Sequence, residues 1–113
     1  MNWNQITTAE QIKHLDELSK TKPVLILKHS TTCSISATAL GRIERTWKEA
    51  DAEFITPYYL DLLAHRNISN EIAQHYNVHH ESPQVLLIKD GKCIFSQTHM
   101  GINMAEILSH LVG

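Results

Sequence analysis

Apolar residues recur at Ile12, Leu15 and Leu18, the spacing of one helix face, and predict a first helix over 8–20 with Thr7 and Glu10 at capping-box separation. Pro23-Val24-Leu25-Ile26-Leu27-Lys28 is a continuous apolar run after a Lys/Thr/Pro break, the mark of a central strand buried on both faces. From Ile35 onward, Leu40, Ile43, Trp47 and Ala50 outline one face of a second helix, with Arg42, Glu44, Arg45, Lys48 and Glu49 around the other. The aromatic and β-branched stretch 54–62 reads as a strand, in which Pro57 predicts an irregular or edge position. Ile68, Ile72, Ala73 and Tyr76 define a third, short helix. The runs 84–89 and 92–98 flank Asp90-Gly91, the strongest hairpin signal in the chain. Asn103-Met104-Ala105-Glu106 then caps a last helix that turns Ile107, Leu108 and Leu111 inward, and 3–6 leaves room for a short extra strand.

Strands alternating with helices and closing on a hairpin define the α/β class: a mixed four- or five-stranded sheet with helices on both faces. The hairpin must be antiparallel, and the earlier crossovers are expected to be parallel and right-handed. At 113 residues the chain is expected to form a single domain, 1–113. Ten Lys and Arg against twelve Asp and Glu leave a net charge of −2, which gives no basic footprint for nucleic acid and no acidic tail. Met1-Asn2-Trp3-Asn4-Gln5 lacks the basic and apolar regions of a signal peptide, and the apolar runs are too short to span a bilayer, so a cytoplasmic protein without membrane contact is expected. Two cysteines sixty residues apart make no disulfide framework and read as free or transiently reactive thiols.

Cys33 carries the candidate chemistry. It lies in Lys28-His29-Ser30-Thr31-Thr32-Cys33-Ser34-Ile35-Ser36, after the central strand and at the start of a helix, where unpaired N–H groups and the positive end of the dipole favour thiolate over thiol. For a thiol at such a site, a fall of two units from about 8.5 raises the thiolate fraction at pH 7 from about 3% to about 75%. Nucleophilicity drops about eightfold with it, so attack gains only about threefold while the sulfur becomes a far better leaving group. That balance suits a thiol that takes up a small thiol adduct and gives it back. Ser36, one turn along, either donates its hydroxyl to the sulfur or only caps the helix. His29 either stabilises the thiolate when protonated or is a satisfied or exposed histidine.

These elements, with a cysteine after the first central strand and a proline opening the hairpin, resemble the thioredoxin fold over nearly the whole chain. Thr32-Cys33-Ser34-Ile35-Ser36 is similar to the Thr-Cys-Pro-Ile-Ser motif of monothiol bacilliredoxins of the YtxJ type. Ser82-Pro83-Gln84-Val85 and Lys89-Asp90-Gly91-Lys92 resemble their proline loop and closing hairpin. The motif's proline is here Ser34. The resemblance implies removal of bacillithiol, a low-molecular-weight thiol acting as co-substrate, from protein mixed disulfides, with no bound cofactor and no metal. It implies Cys33 and Ser36 as catalytic residues. Thr32, Ser34, Ser82, Pro83 and Gly101 would flank the substrate, a cis Pro83 presenting the Ser82 backbone to an extended segment. Ser36 stands where thioredoxins carry a second cysteine, Leu27 where they carry a buried acid, and Thr32 where they carry a tryptophan.

Cys93 is the other thiol, expected near the hairpin about 20 Å from Pro83, given about six residues at about 3.3 Å each, whereas a disulfide requires Cα atoms within about 7 Å. It is read as a packing residue. His75, His79, His80 and Glu81 lack the spacing of a zinc site and read as a solvated loop beside Pro83. Trp3, Trp47 and Tyr76 read as packing residues. Two other functions stay open: a non-enzymatic adaptor holding an extended peptide in the Pro83 groove, and a peroxidase, for which Ser30-Thr31-Thr32-Cys33 fits the Ser/Thr-X-X-Cys pattern while Ile26 stands where an earlier proline belongs.

Overall fold

The computed structural model describes residues 1–111, so the last two residues of the expected domain lie outside the described region. Five strands form one mixed sheet in the order β1-β3-β2-β4-β5. Their ranges are β1 Asn4–Gln5, β2 Val24–His29, β3 Thr56–Asp61, β4 Gln84–Lys89 and β5 Lys92–Thr98. Strands β1, β3 and β2 run parallel; β4 is antiparallel to β2 and to β5. Four helices cover the sheet: α1 Gln11–Ser19, α2 Ser34–Thr46, α3 Arg66–Tyr76 and α4 Met104–Ser109. Among the described residues no helix is long and apolar enough to cross a membrane.

The alternation along β2 divides the core. Val24 and Ile26 join Ile12, Leu15, Ile68, Ile72 and Tyr76 under α1 and α3, whereas Leu25 and Leu27 join Ala39, Ile43, Met104 and Ile107 under α2 and α4. All six β2 residues are buried, including Lys28 and His29 at its end. Pro57 lies inside β3, against the edge expectation, and sheet geometry accommodates it. The N–H groups of Thr56 and Leu62 point to β2, so by alternation Pro57's missing donor faces the other side, where β1 pairs only from Tyr58 onward.

Two helix ends differ from the sequence pattern. The Thr7–Glu10 capping box does not form: α1 starts at Gln11, whose Oε1 accepts the N–H groups of Thr7 at 2.7 Å and Thr8 at 3.0 Å, a reach the longer amide side chain takes over. Helix α2 stops at Thr46. Trp47 turns extended, and Asp51 accepts the Lys48 N–H at 2.9 Å to cap a 3-10 turn, Glu49–Glu53, in which Ala50 is exposed rather than on the α2 face. The hairpin falls where Asp90-Gly91 predicts, both residues at positive φ, 52° and 75°.

Candidate active site

Strand β2 ends at His29, and the chain needs four residues to turn into α2. The turn is closed by the Cys33 N–H donating to the Ser30 carbonyl at 3.1 Å. Cys33 is the N-cap residue, extended at φ −103° and ψ 122°, and its carbonyl accepts the first helical bond, from Ala37 at 3.0 Å. The N–H groups of Ser34, Ile35 and Ser36 therefore have no acceptor within the helix, and the half-buried Cys33 side chain makes no capping hydrogen bond to them. Ser34 at the first helical position retains an N–H that a proline there would lack. Thr32 and Ser34 are exposed beside it.

Ser36 is fully buried and its hydroxyl is turned away from sulfur, so a bond to Cys33 is not made. Its Oγ accepts the Ser30 N–H at 3.0 Å and lies 2.7 Å from His29 Nδ1. Of the two roles expected for Ser36, the structure shows no donation to Cys33: the buried His29 at the end of β2 takes the hydroxyl instead. His29 is buried against Tyr59, their rings 5.6 Å apart. Burial lowers its pKa below the usual histidine value, against smaller upward effects of Ser36, Asp61 and Glu44, so the ring is neutral at pH 7 rather than a cation supporting the thiolate.

The opposite wall is the segment before β4. The register that pairs Lys28 with Gln84, extended by two residues, sets Ser82 opposite Ser30, at the mouth of the Cys33 turn. The Ser82–Pro83 peptide is cis. Ser82 Oγ is buried with no hydrogen-bond partner among the described residues. The buried Gln84 side chain braces this wall, donating to the His79 carbonyl at 2.9 Å and accepting the Glu81 N–H at 3.4 Å. Gly101 lies in a 3-10 turn, His99–Gly101, tied to α2 through Arg42, which donates to the Met100 and Ile102 carbonyls. A side chain at Gly101 would meet open space, so no close approach requires glycine there.

A polar group that sequence reasoning missed lies on the far side of β2. Lys28 Nζ is buried, donates to the Ser69 carbonyl at 3.2 Å, and reaches His80 Nδ1 at 3.3 Å; Ser69 Oγ is 3.2 Å from the same nitrogen. Burial pushes the Lys28 ammonium down from 10.5 to about 8. Burial, then the nearby Lys28 charge, lower the His80 pKa. The signal was present: a lysine ending a strand buried on both faces has nowhere to go but inward. His80 is thus no part of a fully solvated loop. Among the described residues no group of three His, Cys, Asp or Glu side chains could hold a metal ion.

Cys93 lies opposite Ile88, near the far end of β4, and packs with the α1 and α3 core. A bulge at Ile94 breaks the two-residue alternation, so Phe95 joins the α2 face while Cys93 joins the other. Both cysteines are free. Burial raises the Cys93 thiol above its usual value, against weaker lowering by the Phe95 and Leu87 backbone. It is separated from Cys33 along the strand and by the sheet.

The fold is shared with solved thioredoxin-fold proteins. One, described by its thioredoxin fold, is 32% identical with a TM-score of 0.80, over 93% of this chain and 89% of its own. The Malassezia sympodialis thioredoxin is 16% identical at a TM-score of 0.73, covering 97% of this chain and 88% of that one. The Fasciola hepatica thioredoxin is 17% identical at 0.67, covering 96% and 95%. The family model for the monothiol bacilliredoxin BrxC matches residues 4–107. With one thiol at the start of α2 and a serine where thioredoxins place the second, the chain belongs to the BrxC family of monothiol bacilliredoxins, thiol oxidoreductases built on the thioredoxin fold.

Proposed function

We propose that this protein removes bacillithiol, or a similar low-molecular-weight thiol, from mixed disulfides on client proteins in the cytoplasm. The observation that carries the reading is the isolation of Cys33: it caps α2 beside Ser82-Pro83, while Ser36 fills the position of a second thiol and Cys93 packs on the other face. The Cys33 thiolate attacks the small-thiol sulfur of the mixed disulfide. A new S–S bond forms as the old one breaks, and the client sulfur leaves as a thiolate that takes a proton from water. With no internal thiol to resolve the adduct, a second low-molecular-weight thiolate attacks it, releasing Cys33 and a symmetrical small-molecule disulfide. Thr32, Ser34, Ser82, Pro83 and Gly101 frame the approach of the client, and neither a metal nor a bound cofactor takes part.

Mass spectrometry of a bacillithiolated client incubated with the protein and free bacillithiol tests this. Cys33→Ala is expected to abolish removal, with Cys93→Ala within about twofold of the parent rate. Equal loss in both variants would refute the monothiol route. No removal by the parent protein above a protein-free control would leave the peptide-holding adaptor as the better account.

A further inference from the structure

The Ser30 peptide is held from both sides. Its carbonyl takes the Cys33 N–H at 3.1 Å, and its N–H goes to Ser36 Oγ at 3.0 Å. The turn that sets Cys33 at the N-cap is therefore only as firm as the placement of the Ser36 hydroxyl. That hydroxyl is fully buried and owns one proton. Among its hydrogen bonds the acceptor available for that proton is His29 Nδ1, at 2.7 Å. With the ring neutral, Nδ1 bare and Nε2 protonated, Nδ1, the Ser36 hydroxyl proton and the Ser30 N–H are each paired. Asp61, Glu44 and the Tyr59 ring surround His29, and the carboxylates exert a weaker pull toward protonation than burial exerts against it.

We propose that His29 is a positioning residue for the reacting thiol: by fixing the Ser36 hydroxyl it locks the Ser30–Cys33 turn and so holds Cys33 at the start of α2, next in the chain to the three N–H groups the helix leaves unpaired. The inference rests on Cys33 being the reacting thiol, but it does not depend on which small thiol the protein removes. It gives Ser36 a role other than touching sulfur. It also explains why a polar pair is buried at the end of an apolar strand, where two aliphatic residues would pack without the cost of burying polar groups.

The test is alkylation of Cys33 by iodoacetamide from pH 5 to 10, in a Cys93→Ala background so that one thiol reacts. This readout needs neither client nor bacillithiol, so failure of the proposed activity leaves it intact. His29→Leu and Ser36→Ala are each expected to move the midpoint of the pH–rate profile up by about half a pH unit, slowing alkylation below the midpoint about threefold. The double variant should match the single ones, because both break the same chain of bonds. His29→Asn, whose amide can occupy the place of Nδ1, should keep the parent profile. An unchanged or lowered midpoint in His29→Leu and Ser36→Ala, or shifts that add in the double variant, would overturn the proposal. If His29→Leu loses its cooperative thermal transition, Ser36→Ala and His29→Asn decide: the first must shift the midpoint and the second must hold it.

Discussion

Replacing Lys28 by Met gives a stability change whose size and pH dependence follow from the structure. The ammonium is buried between Ser69 and His80 with no carboxylate partner among the described residues, and its pKa falls from 10.5 to about 8. At about 1.4 kcal/mol per pH unit, the gap amounts to a penalty of at most about 3.5 kcal/mol for holding the charge inside the fold. Below pH 8 both folded and unfolded chains carry the proton and the penalty is fully present. Between 8 and 10.5 the unfolded chain still binds a proton that the folded chain has released, so stability rises with pH, and above 10.5 the penalty is gone. Methionine keeps the unbranched length but abandons the Ser69 carbonyl, at a cost of about 1–3 kcal/mol. Urea unfolding of both proteins from pH 7 to 10.5, followed by circular dichroism, should show Lys28→Met equal to or up to about 2.5 kcal/mol more stable at pH 7. The parent should then gain on it by up to about 3 kcal/mol across the range, the titrations of groups out of contact with Lys28 cancelling in the difference. A difference that stays flat within about 0.5 kcal/mol would refute the buried-charge account.

Two other measurements follow from the same logic. The depressed pKa values of His29 and His80 mean that the unfolded chain binds protons first on acidification, so stability should fall as pH drops below 6.5, and His80→Asn should reduce that loss in urea titrations. Asp16 accepts from Tyr76 Oη at 2.7 Å and bonds His75 Nε2 at 2.6 Å, tying α1 to α3; Tyr76→Phe should cost about 1 kcal/mol and Asp16→Ala about 1–3 kcal/mol in the same assay, and no loss in either would mean that the tie contributes nothing.

The elements were legible because apolar periodicity reports burial directly. The β2 run, the α3 face and the Asp90-Gly91 hairpin all fall within a residue or two of their expected ranges. The misread details are places where one side chain outcompeted a local rule. Gln11 took the donors meant for a capping box, and Asp51 stopped the helix that Ala50 suggested would continue. In the site, the placement of Cys33 at a helix start was readable from the order of elements. The partner of Ser36 was not, since a hydroxyl bonds whichever acceptor lies nearest, and spacing along a helix does not count neighbours on a strand.

By itself, then, the amino-acid sequence determined the α/β order, the central strand, the thiol at the α2 start and the absence of a second thiol one turn along. These depend on periodicity and on contacts between near neighbours in the chain. Only the tertiary structure decided that Lys28 and His29 are both buried and point to opposite faces, that Ser36 serves His29 and Ser30, and that the bulge at Ile94 turns Cys93 away from the α2 side. Each of these depends on groups brought together across the sheet, where the need to partner a buried polar atom overrides the preference written in the local sequence.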